Sequence, residues 1–413
     1  MPTPHLVPLR RQLPSAHMLK DFMKFDLPTT DFRARRLARA ADSWDLRALA
    51  QRRTPKGPFD YVDGAAEKEL SLQRARQAFD NLAFEPGVLR DVAQVDLSTG
   101  MAGAPSAMPL AIAPTGFTRM MHAEGEIAGV KAAHQAGIPF TLSTMGTETI
   151  EDVAAAGPDG RRWFQLYLWK ENRSKAFELV ERAHKAGYDT LMVTVDTAVT
   201  GARHRDVRNG MTFPPKLSAK TVINASYRPE WWFNFLTTKP LGFTNFGEGT
   251  KSVQEIGNMF DPTLNFEDLA WLRQQWPGQL LVKGIQTVSD AQLSVEAGAD
   301  GVVLSNHGGR QLDRAPVPLY TLPEVRQRLG NDYTVLLDTG VMSGADVVAA
   351  CALGADGVMI GRAYLYGLMA GGAEGVCRLL DIFRAEMTRT LQLMGISSLD
   401  QLTPDHVRLD WRP

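Results

Sequence analysis

Residues 295–306 read VEAGADGVVLSN: the end of a helix, a glycine, then an apolar strand that closes on polar residues. The same phrase recurs as HQAGIPFTLSTM (134–145), HKAGYDTLMVTVD (184–196) and ALGADGVMIG (352–361). A glycine behind a helix accepts the left-handed conformation that ends it, and the β-branched residues after it suit a buried strand. Near-continuous apolar strands between amphipathic helices predict a parallel sheet covered on its outer face by helices.

Working outward, the strands are PLAIAPTG (109–116), PFTLSTM (139–145), RWFQLYL (162–168), TLMVTVDT (190–197), QLLVKGI (279–285), GVVLSN (301–306), TVLLDTG (334–340) and GVMIGRA (357–363). Eight even β/α units predict an α/β TIM barrel. A doubly wound open sheet is the alternative, but no GxGxxG turn accompanies the units. The barrel is expected over residues 101–413, with residues 1–100 as a helical extension packed on it. The extension's helices are expected at SWDLRALAQRR (43–53) and near FDYVDGAAEKELSLQRARQAF (59–79), followed by a short extended stretch. Residues 198–262 interrupt the fourth unit with a segment rich in Pro, Gly and aromatics, including RPEWWFNF (228–235). Long insertions in compact domains serve as lids or mobile segments. The aromatics are expected over the barrel mouth, with insertion into a membrane surface as the alternative.

Lys plus Arg total 45 and Asp plus Glu 46, so no global charge points to nucleic acid, and none is expected as a partner. The locally basic run RARRLARAADSWDLRALAQRR (33–53) has the spacing of an amphipathic helix with a solvated face. Two cysteines, Cys351 and Cys377, lie in helix-like segments without metal-ligand spacing, so neither a disulfide nor a metal is expected. The N-terminal MPTPHLVPLRRQLPSAH has no apolar core of a secretory signal, and no apolar run nears the roughly 20 residues that span a bilayer. The expected location is cytoplasmic, with peripheral contact at the inner face of the membrane through 198–262.

In a TIM barrel the reactive groups gather where the strands end. Here nearly every strand ends in a hydrogen-bonding group: Thr115 and Gly116, Ser143, Gln165 and Tyr167, Thr194 and Asp196, Lys283, Ser305 and His307, Asp338 and Gly340, Gly361 and Arg362. One cavity is expected to collect them. The stretch LSNHGGRQLD (304–313) adds a proton-transfer residue, His307, and a two-pronged carboxylate binder, Arg310. DTGVMSG and IGRA end in glycine-bearing turns before helices, where barrels hold a phosphate. Lys283 suits negative charge on an electron-accepting ring, or an ordinary salt bridge.

Together SNHGGRQLD, VTVDT, FQLY, LVKGI and DTGV…IGRA resemble the FMN-dependent L-2-hydroxy acid dehydrogenase and oxidase family, and over the full length its bacterial L-lactate dehydrogenase branch. The resemblance covers Phe59 to the end of the eighth strand and runs into the final helix. It implies His307 as the base, Asp196 as its partner, and Tyr167 as a hydrogen-bond donor to the substrate oxygen. It also implies Arg310 and Tyr61 on the substrate carboxylate, assisted by Arg203. FMN is implied at Pro114, Thr115, Gly116, Ser143, Gln165, Thr194, Lys283 and Ser305, then at Asp338, Gly340, Gly361 and Arg362. Base, cationic anchor and flavin are what oxidation of a 2-hydroxy acid requires.

Three positions depart from the family pattern. Met342 stands where a phosphate-binding arginine is common, which puts FMN affinity in doubt. Met145 replaces a bulky aromatic, and Gly116 replaces the alanine of the oxidases. Glycine there goes with dehydrogenases and a monooxygenase in the family, so a quinone or other carrier is expected as acceptor rather than O2. The expected substrate is a small L-2-hydroxy acid, L-lactate first, because the side-chain end faces Met145, Gly116 and Thr200. Mandelate-like acids and an O2-using oxidase or monooxygenase are alternatives. An FMN-dependent isomerase and a non-catalytic barrel are further ones, though neither uses a His/Arg pair. A homotetramer is the expected assembly.

Overall fold

The repeated phrase acquires the backbone it requires. φ is 70° at Gly137, 77° at Gly187, 99° at Gly298 and 108° at Gly354, the left-handed region that stops a helix and releases the chain into a strand. The computed structural model describes residues 13, 15, 17–19, 31–168, 173–210, 226–246 and 260–409.

Eight strands follow these turns: β1 (Leu110–Ile112), β2 (Phe140–Ser143), β3 (Arg162–Leu166), β4 (Thr190–Thr194), β5 (Gln279–Ile285), β6 (Gly301–Leu304), β7 (Thr334–Leu337) and β8 (Gly357–Ile360). Every neighbouring pair is parallel and the order β7-β8-β1-β2-β3-β4-β5-β6 closes on itself. The TIM barrel expected from the sequence is therefore the fold. Except in β5, the predicted runs overshoot the ladder at their C-terminal ends. The polar residues there leave the sheet for the loops that build the site.

Inward side chains fill the barrel: Ala111, Trp163, Met192, Leu281, Val303, Leu336 and Met359 form one buried cluster with Met101 and Ala102. The last two come from a hairpin, Thr99–Met101 with Ala104–Ser106, the extended stretch before the barrel. Arg161, just before β3, donates to the carbonyls of Met101, Ala104 and Ala102 at 2.8, 3.1 and 3.2 Å and fixes the hairpin across the N-terminal end.

The basic run at 33–53 is not one helix. It divides into α1 (Phe32–Ala38) and α2 (Ser43–Arg53). The Asp42 carboxylate accepts the Asp45 N–H at 2.8 Å, and Asp45 accepts the Ala41 N–H at 2.8 Å, so local capping outweighs continued helix. The next segment also divides, into α3 (Lys56–Asp63) and α4 (Leu70–Asp80), with Glu67 and Glu69 at positive φ between them. Within the insertion, WWFNF lies on α5 (Pro229–Thr237), opened by Pro229 in its first turn. Residues 211–225 and 247–259 of the insertion lie outside the described residues, as does most of the N-terminal segment before residue 31. The final helix, α6 (Arg362–Met394), bends at Gly371 and Gly372 and packs along α2. No described helix is long and apolar enough to cross a membrane.

Candidate active site

The turn after β6 explains two glycines in SNHGGR. His307, Gly308 and Gly309 have φ of 58°, 65° and 73°. Glycine occupies this region without strain, whereas a histidine there costs about 1–3 kcal/mol. A methyl group on Gly309 would stand 2.8 Å from the Leu72 nitrogen, so α4 presses directly on the turn. Asn306 braces it, accepting the Gly309 N–H at 2.9 Å and donating to the Pro316 carbonyl at 3.1 Å. The His307 N–H donates to Ser305 Oγ at 3.0 Å. So held, the imidazole Nδ1 sits 3.0 Å from Oδ1 of Asp196, whose side chain is 1% exposed.

Burial alone would raise the Asp196 carboxyl, but His307 and then Lys283 outweigh it and hold it below the usual carboxylate range. An ionised carboxylate only accepts, so Nδ1 carries the proton and Nε2 is the basic nitrogen.

On the same cavity wall two cations face one aromatic ring. The guanidinium carbon of Arg310 lies 4.7 Å from the Tyr61 ring centroid, and that of Arg203 lies 5.5 Å from it. Arg310 donates to the Tyr61 carbonyl and, at 3.4 Å, to the Gly64 carbonyl. Burial, reinforced by Arg203, brings Arg310 down to about 10, which leaves it charged at neutral pH. Two close cations, with Asp206 paired to Arg203 at 3.3 Å, make a field that an anionic ligand would relieve. Burial, then Asp196, pushes the Tyr167 hydroxyl above its ordinary range, so it remains a donor.

One cavity of about 1640 Å³ takes in most of the expected residues: Tyr61, Pro114, Thr115, Gly116, Ser143, Tyr167, Thr194, Arg203, Lys283, His307, Arg310, Asp338, Gly340, Gly361 and Arg362. Asp196, Gln165 and Ser305 stand one layer behind the wall. Gln165 accepts from Ser143 Oγ and donates to Thr194 Oγ1, both at 3.0 Å. Lys283 Nζ lies 2.9 Å from Asp338 Oδ2 and donates to Ser305 Oγ at 3.0 Å. Burial would lower the Lys283 ammonium, but Asp338 and Asp196 prevail and raise it.

The side-chain end of the cavity corrects the expectation of small, soft neighbours. Gly116 and Thr200 do line the cavity, but so do Phe117 and Phe260. Met145 is withdrawn behind them, buried against Phe243 of the insertion. Phe117 is itself at φ 56° and meets Tyr61 and Phe243 edge-on, with centroids 5.9 and 4.5 Å away. Neither phenylalanine carries a periodic or charged signal by which the sequence could have flagged it.

A model of the FMN-dependent dehydrogenase family matches residues 50–409. The chain belongs to that family. Its cofactor is FMN. A Mycobacterium tuberculosis relative named "Putative L-lactate dehydrogenase" is 53% identical over 97% of this chain and 96% of its own length. (S)-Mandelate dehydrogenase of Pseudomonas putida is 40% identical over 88% of this chain and 93% of its own. A crystal structure of the monotopic membrane protein (S)-mandelate dehydrogenase superposes with a TM-score of 0.86 at 40% identity, over 90% of this chain and 99% of that one.

The residues of this FMN-dependent dehydrogenase fit a flavin phosphate at β7 and β8. The α6 N-terminus has no side-chain cap, and a Cβ on Gly361 would meet only Ala113, at 3.8 Å. Backbone N–H groups with room before them suit an anion. The Arg362 guanidinium donates to the carbonyls of Val62 and Gly64 at 3.0 and 2.7 Å, so the C-terminal end of α3 steadies it. Sequence reasoning missed Arg76, which lines the cavity, donates to the Gly340 carbonyl at 2.7 Å and pairs with Asp346. It braces the turn that carries Met342, whose N–H donates to Asp346 at 2.8 Å.

Proposed function

We propose that this dehydrogenase oxidises a small L-2-hydroxy acid, L-lactate to pyruvate first among them, and passes the electrons to a quinone or another carrier. One observation carries the reading: an Asp-backed histidine base and two arginines around Tyr61, Arg310 of them buried, share one cavity. Arg310, Tyr61 and Arg203 bind the carboxylate and turn the 2-hydroxyl toward His307. Nε2 takes the hydroxyl proton, and Asp196 stabilises the imidazolium that results. Tyr167 donates to the substrate oxygen. FMN, when bound, accepts the two electrons, and Pro114, Thr115, Gly116, Ser143, Thr194, Lys283, Asp338, Gly340, Gly361 and Arg362 would hold it, with Gln165 and Ser305 supporting Ser143, Thr194 and Lys283 from behind.

A second reading, a mandelate-like substrate, draws support from Phe117 and Phe260 in the cavity lining. The domain division into residues 1–100 and a barrel over 101–413, with its insertion at 198–262, belongs to the same proposal. So do a homotetramer and a cytoplasmic protein peripheral to the inner membrane face. Tyr227 and Phe233, both exposed near or on α5, suit such a contact. The test is anaerobic bleaching of the flavin by L-lactate, D-lactate and (S)-mandelate. L-lactate should bleach it and D-lactate should not. Reduction by D-lactate, or by mandelate with none by L-lactate, overturns the substrate assignment, and rapid peroxide formation in air overturns the acceptor.

A further inference from the structure

The cavity of about 1640 Å³ extends past the base and the carboxylate-binding arginines to a wall that their chemistry does not use. Beyond the arginines the wall turns apolar, formed by Met120, Trp231, Trp232, Phe235, Leu236 and Leu241. Four of these belong to α5 at positions i, i+1, i+4 and i+5, a single stripe turned toward the site. Trp231 and Phe235 stack with centroids 4.8 Å apart and planes 10° from parallel. Trp232 meets Trp231 edge-on at 5.1 Å. The indole N–H of Trp231 donates to the Met120 carbonyl at 3.0 Å, so its polar edge is satisfied. Glu230, at the start of the helix, pairs with Arg33 of α1 at 3.3 Å and with Arg53 of α2, which fixes the stripe against the extension. Leu236 lines the cavity and is also 70% exposed, so the apolar wall runs continuously to the surface.

None of these six side chains is charged, so a charged acceptor against them would lose hydration without an ion-pair partner among them. A planar, uncharged ring matches stacked aromatics, and an alkyl tail matches an apolar exit. We infer that the α5 annex is a quinone-binding subsite, the ring beside Trp231 and Phe235 and the tail leaving past Leu236. This rests on the hydroxy acid dehydrogenase reading and assigns the place and chemical class of its acceptor. Overall, the hydroxy acid loses two electrons and two protons to become the 2-oxo acid. The quinone gains two electrons and two protons to become the quinol.

The test uses the FMN-loaded holoenzyme with a short-chain ubiquinone analogue and, separately, a phenazine dye. Phe235→Ala removes one ring of the stack, and Leu236→Arg sets a charge at an exposed rim where folding tolerates it. Both should raise the quinone Kd, read from quenching of tryptophan fluorescence, and its KM by about tenfold or more, equivalent to about 1.4 kcal/mol. Dye turnover and anaerobic flavin reduction by hydroxy acid should remain as in the wild type. Unchanged quinone binding in both variants overturns the subsite. So does equal loss with quinone and dye, or a rise in the hydroxy acid KM alone, which would make the annex a substrate pocket. Should no hydroxy acid reduce the flavin, the functional reading fails, while fluorescence still decides whether the annex binds quinone.

Discussion

Asp196→Asn separates charge from geometry at the base. Asparagine has nearly the same shape, and its carbonyl oxygen can still accept the His307 Nδ1–H, so the ring keeps its orientation while the negative charge is lost. That charge matters only once His307 has taken the substrate proton. At the 3.0 Å separation, an effective dielectric of about 20 bounds the attraction at about 5.5 kcal/mol. A charge-assisted hydrogen bond realises about 1.5–3 kcal/mol of such attraction. The proton-transfer step should therefore slow by roughly 10- to 150-fold, with about 10⁴-fold as the ceiling. Asp196 stands behind the cavity wall, so the substrate concentration for half-maximal reduction should change little. Anaerobic stopped-flow reduction of the bound flavin measures both quantities. A rate within threefold of wild type would refute the reasoning, because His307 would then not become cationic beside Asp196 during the reaction. A large rise in half-saturation with an unchanged rate would refute it too, by showing that Asp196 acts in binding.

Arg310→Met should raise KM and lower kcat together, since the anchor both binds and orients the carboxylate; a change confined to KM counts against the orienting role. Lys283→Met leaves Asp338 buried without its cation and should cost about 3–5 kcal/mol of stability, measured by denaturant unfolding at neutral pH. Because the folded Lys283 is raised, its contribution is fully present below the unfolded value of about 10.4 and is lost as pH climbs through the higher folded value. The gap between wild type and Lys283→Met should hence narrow at strongly alkaline pH, and a gap already lost between neutral pH and the unfolded lysine value would show the sign to be wrong. Gly309→Ala forces a methyl against the Leu72 nitrogen at positive φ and should destabilise by more than about 1 kcal/mol; a melting temperature equal to wild type would show that α4 does not confine the turn.

The barrel was legible because its signals are local. A glycine between helix and strand and runs such as GVVL and TLMVT state their conformation within a dozen residues, and eight such parallel strands close into the barrel. The chemistry at the strand ends was legible for a related reason. A barrel brings the ends of all its strands to one mouth, so His307, Lys283 and Asp338 could be assigned to a common cavity before any distance was known. What depended on tertiary packing is the second layer and the far wall. Asp42 divides a run whose periodicity predicted continuous helix, since capping by one carboxylate is worth more locally than the next turn. Gln165, Ser305 and Asp196 lie behind the wall and act through the side chains they bond, a depth that strand alternation does not encode. Met145 is drawn back from the wall while Phe117 and Phe260 line it, and the α5 stripe joins the cavity though α5 and β1 are over a hundred residues apart. An apolar side chain shows its burial in sequence but not its neighbour, because hydrophobic attraction has no direction and only the folded packing chooses the partner.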